Sequence, residues 1–346
     1  MKAHNNGNKR GGRGRDIIVI GTSAGGIEAL TKLLGKIPKT IGAALFVVMH
    51  VAPRQKSYLP EILARNCELP VIHPKDGQGI EHGNVYIAPP DQHMLLEENR
   101  IVLIQGPKEN RHRPAVDPLF RTAAKCHKEH VIGVVLTGAL DDGTSGLQAI
   151  KQCGGLAVVQ HPEEAFAPGM PLSAVRWVQT DYCLPLAKIR PLLLRLVKEK
   201  PEKKANGECS EVNYGINVEG KTMTPEQMQA KAGTPAPVAC PECSGPLWQL
   251  KEGGTVNYRC LVGHAFSPES LLDGENEALE RALWTAVKTL EERGHVLALL
   301  AERAGHRRQM VSQENWRARA EESYQQAALV RDVLKKVAPV PPLAGE

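Results

Sequence analysis

Along residues 16–197, runs that are apolar at every position alternate with stretches in which apolar residues recur every three or four. Asp16-Ile-Ile-Val-Ile20 opens the pattern, and Ile27, Leu30, Leu33, Leu34 and Ile37 follow at helical spacing. Ala43–Met49, Val131–Leu136 and Leu156–Val159 are further all-apolar runs, the last two separated by a helical stretch over Thr144–Cys153. Strands that are apolar throughout are buried on both faces, so the pattern predicts an α/β domain with a doubly wound, mostly parallel sheet covered by helices. Asp117-Pro118 reads as a helix start, with the acid as cap and proline at the first helical position.

The pattern changes at 199. Residues 199–238 are rich in Lys, Glu, Gly, Asn and Pro and read as a linker that buries no core of its own, so few contacts are expected to cross it. Within it, Thr224-Pro-Glu-Gln227 has the spacing of a capping box. Residues 239–267 carry a Cys/His cluster, and from Ser267-Pro268 the pattern is helical to about 338. One seam runs through Leu279, Leu283, Ala286, Leu290, Leu297 and Leu300. A second follows Gly305 through Trp316, Ala320, Ser323, Ala327, Val330, Leu334 and Val337. Two such seams predict either a helical hairpin closed within the chain or a coiled-coil surface for a protein partner or a second copy.

Charge and composition narrow the class. The net charge of +5 comes from the tail 1–15, which holds Lys2, Lys9, Arg10, Arg13 and Arg15 and no acid. The rest balances, so this is a neutral body with a basic leader that reads as disordered. Aromatics at 4% are too few for a base-stacking platform, which argues against nucleic acid as the partner. The longest apolar run, Ala43–Met49, is far short of the roughly 20 residues of a membrane span. The tail lacks the apolar region of a secretory signal, so a cytoplasmic location is expected. The eight cysteines fit a reducing compartment, where clustered cysteines point to metal rather than disulfides. Cys67, Cys126, Cys153, Cys183 and Cys209 are scattered, while Cys240, Cys243 and Cys260 cluster.

Candidate chemistry gathers where the apolar runs end. Gly21-Thr-Ser23-Ala-Gly25 fits the Gly-x-Ser-x-Gly turn, which exposes a serine hydroxyl between a strand and a helix N-terminus able to hold an oxyanion. The competing reading is a phosphate-binding loop, although Ser23 stands where such a loop has its middle glycine and no acid ends the second strand. His50 ends that strand instead, and Asp141 and Asp142 follow the run Val131–Leu136. Either acid could orient a histidine, or Asp142 could simply cap the next helix. The order Ser, His, Asp differs from that of the α/β-hydrolases. His73, His82, His93, His112 and His161 are competitors for the base and read as surface or structural residues.

Five motifs, in order, resemble the chemotaxis receptor methylesterases, the CheB-type protein-glutamate methylesterases. They are Ile20-Gly-Thr-Ser23-Ala-Gly-Gly26, Val47-Val-Met-His50-Val51, Val85-Tyr-Ile-Ala-Pro-Pro-Asp-Gln-His93, Arg113-Pro-Ala-Val-Asp117-Pro-Leu-Phe120 and Leu136-Thr-Gly-Ala-Leu-Asp-Asp142-Gly143. The resemblance covers about 16–197. It implies a Rossmann-like catalytic domain over 16–198 with a Ser23/His50/Asp142 triad and no catalytic cofactor. The implied reaction hydrolyses glutamate methyl esters of chemoreceptors to glutamate and methanol, with glutamine deamidation in some members. Such members carry an N-terminal phosphoacceptor receiver, and only fifteen residues precede the first strand here, so control through a receiver is not expected. Ala139 and Leu140 replace the family's usual methionine and glycine, which bears on the substrate pocket. A catalytically weak scaffold of the same fold, acting through its C-terminal module, is the alternative.

Cys240-Pro-Glu-Cys243, then sixteen residues, then Cys260-Leu-Val-Gly-His264 gives two knuckles suited to a tetrahedral structural zinc. The intervening Gly-Pro246, Gly253-Gly254 and Val256–Tyr258 read as the hairpin of a zinc ribbon. Four protein ligands leave no open position for catalysis by the metal.

Overall fold

The computed structural model describes residues 14–51, 57–201, 209, 224–230, 233–252 and 255–336. The expected disordered leader, apart from its last two residues, most of the expected linker, and Val337 of the second seam lie outside them. The chain divides into two compact units, Met1–Leu271 and Leu272–Glu346.

In the first unit, strand β1 (Ile17–Thr22) is followed by helix α1 (Gly26–Leu34), β2 (Ala44–Met49), α2 (Leu59–Ala64), β3 (Val71–Ile72) and β4 (Val85–Ile87). A hairpin of β5 (His93–Leu96) and β6 (Ile101–Ile104) leads to α3 (Val116–His127), β7 (Val131–Val135), α4 (Thr144–Gln152) and β8 (Leu156–Gln160). Helix α5 (Gly169–Trp177), β9 (Tyr182–Leu184) and α6 (Leu186–Leu196) complete the α/β part. Seven strands form one sheet in the order β3-β4-β2-β1-β7-β8-β9, every pair parallel.

The all-apolar runs are explained by two cores. Along β1, Ile18 and Ile20 pack with Leu30 and Leu33 of α1 and Ile189 and Leu193 of α6 on one face. Ile17 and Val19 pack with Leu119 and Phe120 of α3 and Leu147 and Ile150 of α4 on the other. Alternate side chains therefore bury on opposite faces, and no position can be polar. The chain leaves β1 toward β2 on one side and toward β7 on the other. This is the topological switch at whose carboxyl edge open sheets bind ligands.

Helix α7 (Pro225–Ala230) carries the expected capping box: Gln227 N–H donates to Thr224 Oγ1 at 3.3 Å, and Thr224 N–H to Gln227 Oε1 at 2.9 Å. The ribbon sheet consists of β10 (Thr234–Ala239), β11 (Pro246–Glu252), β12 (Thr255–Cys260) and β13 (Ala265–Phe266), antiparallel throughout. Strand β10 lies in the stretch expected to be linker. It is an edge strand, where Pro235 and Pro237 are tolerated because one side needs no N–H donors.

The expected separation of the ribbon from the α/β domain fails. Ala265 N–H donates to Lys108 O at 3.2 Å, Asn110 N–H donates to Ala265 O at 2.8 Å, and Lys108 pairs with Glu242 at 2.9 Å. Composition describes the linker but not the surface on which the ribbon lands. Cys153 and Cys209, two of the scattered cysteines, form a disulfide, which a reducing compartment does not lead one to expect.

In the second unit, α8 (Pro268–His306, whose first turn belongs to the first unit) and α9 (Met310–Lys336) form a hairpin. Val287, Leu297, Ala301 and Ala304 of α8 and Ala320, Ser323 and Ala327 of α9 are buried. Ser323 Oγ donates to Leu290 O at 2.9 Å. Of the second seam, Ala320, Ser323 and Ala327 are buried and Trp316, Val330 and Leu334 half-buried, while the first runs through Val287 rather than Ala286 and leaves Leu279 exposed. No helix among the described residues is long and apolar enough to cross a membrane.

Candidate active site

Three strand ends meet at the switch point. Ser23 follows β1, and its N–H donates to Thr137 O beyond the end of β7 at 3.0 Å. His50 follows β2, whose Met49 is in register with Thr22, and its N–H donates to Thr22 O at 3.3 Å. Ser23 and His50 therefore each directly follow the last paired position, Thr22 with Met49, on adjacent parallel strands. Gly25, the cap of α1, has φ 76, a left-handed turn that glycine adopts without strain and that starts the helix two residues after the serine. Gly26 N–H donates to Ser23 O at 2.9 Å; a helix N-terminus leaves N–H groups of its first turn without intrahelical partners, donors of the kind an oxyanion needs. Gly138 packs so closely here that a Cβ would lie 3.0 Å from Ser23 Cβ and 2.1 Å from Met170 Sδ.

Asp142 follows β7 and is buried. His50 Nε2 and Asp142 Oδ2 are 2.7 Å apart. Asp142 also accepts from the N–H of Val116 at 2.7 Å, the N–H of Asp117 at 3.2 Å and Asn110 Nδ2 at 3.0 Å. Burial alone would push this carboxyl up. The hydrogen bond and charge of His50 outweigh it and, with Val116 and Asn110, hold Asp142 well below the usual carboxylate range. The open choice of Asp142 as a helix cap is decided against: the cap of α4 is Gly143, with no side-chain bond, and Asp142 faces His50. His50 Nδ1 is buried and has no partner among the described residues.

Asp141 points elsewhere, accepting from Ser267 Oγ at 2.8 Å. Burial raises its carboxyl to about 7, against the hydrogen bond from Ser267. Its folded pKa thus exceeds the unfolded value near ~3.9. Between these values the folded state binds more protons, so this group costs stability progressively as pH rises from about 4 through 7. Urea unfolding at pH 5 and pH 8 is expected to show a decline in wild type that is smaller in Asp141→Asn. Equal declines would contradict the assignment.

The competing histidines sort as follows. His93 is buried, with Nε2 2.9 Å from Pro107 O and Nδ1 accepting from Ala115 N–H, a structural residue as expected. His73 Nδ1 lies 2.9 Å from Ile87 O, and His82 pairs with Asp16 at 3.4 Å. His161 donates its N–H to Leu184 O. His112 departs from expectation: its ring stacks on that of His50 with centroids 3.7 Å apart. Burial, reinforced by His50, pushes His112 down to about 3, so a neutral ring covers the His50 imidazole. Asp117, read as a helix cap, is instead buried in α3. It accepts from Gly146 N–H at 2.6 Å and Asn110 Nδ2 at 2.9 Å. Burial, then the charge of Asp142, raises its carboxyl well above the usual value.

The ribbon gathers four residues that could hold a metal ion. The ligand atoms of Cys240, Cys243, Cys260 and His264 all lie within 4.8 Å of one another. His264 Nδ1 is 3.7 Å from Cys240 Sγ and 3.6 Å from Cys260 Sγ, and the Cys243 and Cys260 sulfurs are 3.6 Å apart. Zinc bonds of about 2.3 Å to sulfur and about 2.0–2.1 Å to nitrogen put tetrahedral ligand atoms roughly 3.5–3.8 Å apart. The set fits zinc in its spacing and its chemistry.

The family model for the CheB methylesterase matches residues 18–193, half of the chain, over the sheet and the strand ends just described. The chain belongs to the CheB methylesterase family. It is 39% identical over 190 residues, 55% of its length and 98% of the relative's, to a putative protein-glutamate methylesterase/protein-glutamine glutaminase of Leptospira interrogans. It is 38% identical over 186 residues to the protein-glutamate methylesterase/protein-glutamine glutaminase of Trichodesmium erythraeum, covering 53% of each chain. Among solved structures, the CheB methylesterase catalytic domain of Thermotoga maritima is similar with a TM-score of 0.51 and 36% identity. That match takes 52% of this chain and 98% of the other. All three matches are confined to about half of this chain, so they leave the ribbon and helical hairpin as features of this family member to be understood from its own structure.

Proposed function

We propose that this protein is a protein-glutamate methylesterase that uses Ser23, His50 and Asp142 as its triad. The observation that carries the reading is the 2.7 Å pairing of His50 with a buried, ionised Asp142, with His50 and Ser23 each following the last paired residues of two adjacent parallel strands. Asp142 fixes the Nε2–H tautomer, which leaves Nδ1 as the basic nitrogen. The Ser23 hydroxyl attacks the ester carbonyl of a methylated glutamate and its proton passes to His50. The oxyanion is met by the first turn of α1. His50 returns the proton to the departing methoxide, releasing methanol, and a water activated by the same imidazole then frees the glutamate. An amide in place of the ester would release ammonia, which is glutamine deamidation.

The substrate that fits is a methylated chemoreceptor-type protein acted on in the cytoplasm. The exposed Leu279, Trp284, Val296 and Leu299 of α8 support a partner-binding or self-associating role for the helical unit. Cys240, Cys243, Cys260 and His264 would hold a structural zinc, whose contribution is folding free energy for the ribbon.

Purified full-length protein is expected to release methanol from a receptor fragment bearing glutamate methyl esters. No release above that of buffer would refute the reading. A general base must be unprotonated to accept the serine proton, so an acid limb in the rate profile is expected. Asp142 is held well below the usual carboxylate range and is not the source of that limb. An unchanged acid limb in a still-active His50→Gln variant would place the base elsewhere.

A further inference from the structure

The loop between β6 and α3 delivers two groups to the centre, Asn110 to Asp142 and His112 to His50, and the ribbon grips that loop. Glu109 pairs in parallel with Ala265 of β13, so the loop extends the ribbon sheet. Buried Glu109 is shared between Arg121 of α3, at 2.6 Å, and Arg259 of β12, at 3.9 Å. Burial pushes its carboxyl up, but the two guanidiniums hold it below its ordinary value.

Asn110 spends its whole amide across this boundary. Its Nδ2 donates to Asp142 Oδ1 and Asp117 Oδ2, while its Oδ1 accepts from Ser267 N–H at 3.1 Å and Ser270 Oγ at 3.1 Å. Two donors and two acceptor sites are all that the side chain has. Asn110 and Arg111 both have positive φ, 47 and 68. Consecutive left-handed non-glycine residues persist only where their surroundings over-determine them. Here the ribbon edge and the first turn of α8 supply those surroundings.

We propose that the ribbon and the start of α8 form an internal brace for catalysis, in which Asn110 is a positioning residue that holds Asp142 toward His50 only while Ser267 and Ser270 hold Asn110. The proposal rests on the reading of Asp142 as the acid of the triad. The family model matches residues 18–193 and does not reach the ribbon, so the brace uses residues outside the matched family domain. An acid that drifts misorients the base, and errors of this size cost one to two orders of magnitude in rate.

The test uses the full chain, with methanol release and the downfield proton resonance of the His50–Asp142 hydrogen bond as two readouts. Ser270→Ala removes one anchor of Asn110, Ser267→Ala/Ser270→Ala perturbs the whole cap, and Ser270→Thr restores the hydroxyl. The brace predicts a fall in kcat of about tenfold with KM unchanged in Ser270→Ala, broadening of the resonance, and recovery of both in Ser270→Thr. The double variant should lose more. Wild-type kcat and a sharp resonance in Ser270→Ala would overturn the brace while leaving the ester reaction standing. A resonance lost in Ser270→Ala and kept in Ser270→Thr, with no methanol from wild type, would support the brace and overturn the ester reaction.

Discussion

Ser23→Ala and His50→Ala are each expected to reduce methanol release by on the order of 10⁴–10⁶, to the background set by the oxyanion site and binding. The Ser23→Ala/His50→Ala double variant should be little worse than either single one. The serine is activated only through the histidine, so removing either removes the same step. Fold is not at risk in the serine variant: the bond from Ser23 to Thr137 is made by the backbone N–H, and the turn is set by Gly25. Retention of more than about a tenth of wild-type release by Ser23→Ala, or multiplicative losses in the double variant, would break the assignment.

Removing the metal is expected to have the second large effect. Structural zinc contributes roughly 10–16 kcal/mol in isolated fingers, so a ribbon deprived of it unfolds. On composition alone the α/β domain would survive this with its activity intact. The structure reverses that expectation, because β13 pairs with the loop that carries Asn110 and His112. Chelation of the full chain, or Cys240→Ser/Cys243→Ser, should release about one zinc per chain and lower methanol release by at least tenfold, while the far-ultraviolet signal of the α/β sheet persists. Activity unchanged after the zinc is stripped, measured beside elemental analysis, would show that the ribbon is a passenger. Zinc absent from freshly purified protein would remove the metal from the account.

The parts legible in the sequence are those with a local cause. β1, β2, β7 and β8 are buried on both faces, so each is an unbroken apolar run. β3, β5 and β9 are two to four residues long and carry no measurable period. Ser23 stood out because Gly-x-Ser-x-Gly is a local turn, and Cys240, Cys243, Cys260 and His264 because their two knuckles are local pairs. Local pattern does not separate Asp142 from Asp141, since both acids follow the same strand; the family resemblance points to Asp142, and in the structure it is Asp142 that faces His50. Asn110 had no signature. Its partners Ser267 and Ser270 lie 157 and 160 positions away, and nothing in a polar loop announces them. Ser267 caps α8 as its sequence predicts and donates also to Asp141. His112 lies just before the motif that begins at Arg113, and no local pattern announces its stacking on His50.

During turnover Ser23 is expected to form a covalent ester with the glutamyl group. Rapid acid quench of wild-type protein with a methylated receptor fragment, followed by proteolysis and mass spectrometry, measures this directly. The account predicts a glutamyl adduct on the peptide containing Ser23, formed as methanol appears and absent in Ser23→Ala. Methanol release with the adduct on another residue, or continued release by Ser23→Ala at the wild-type rate, would contradict it.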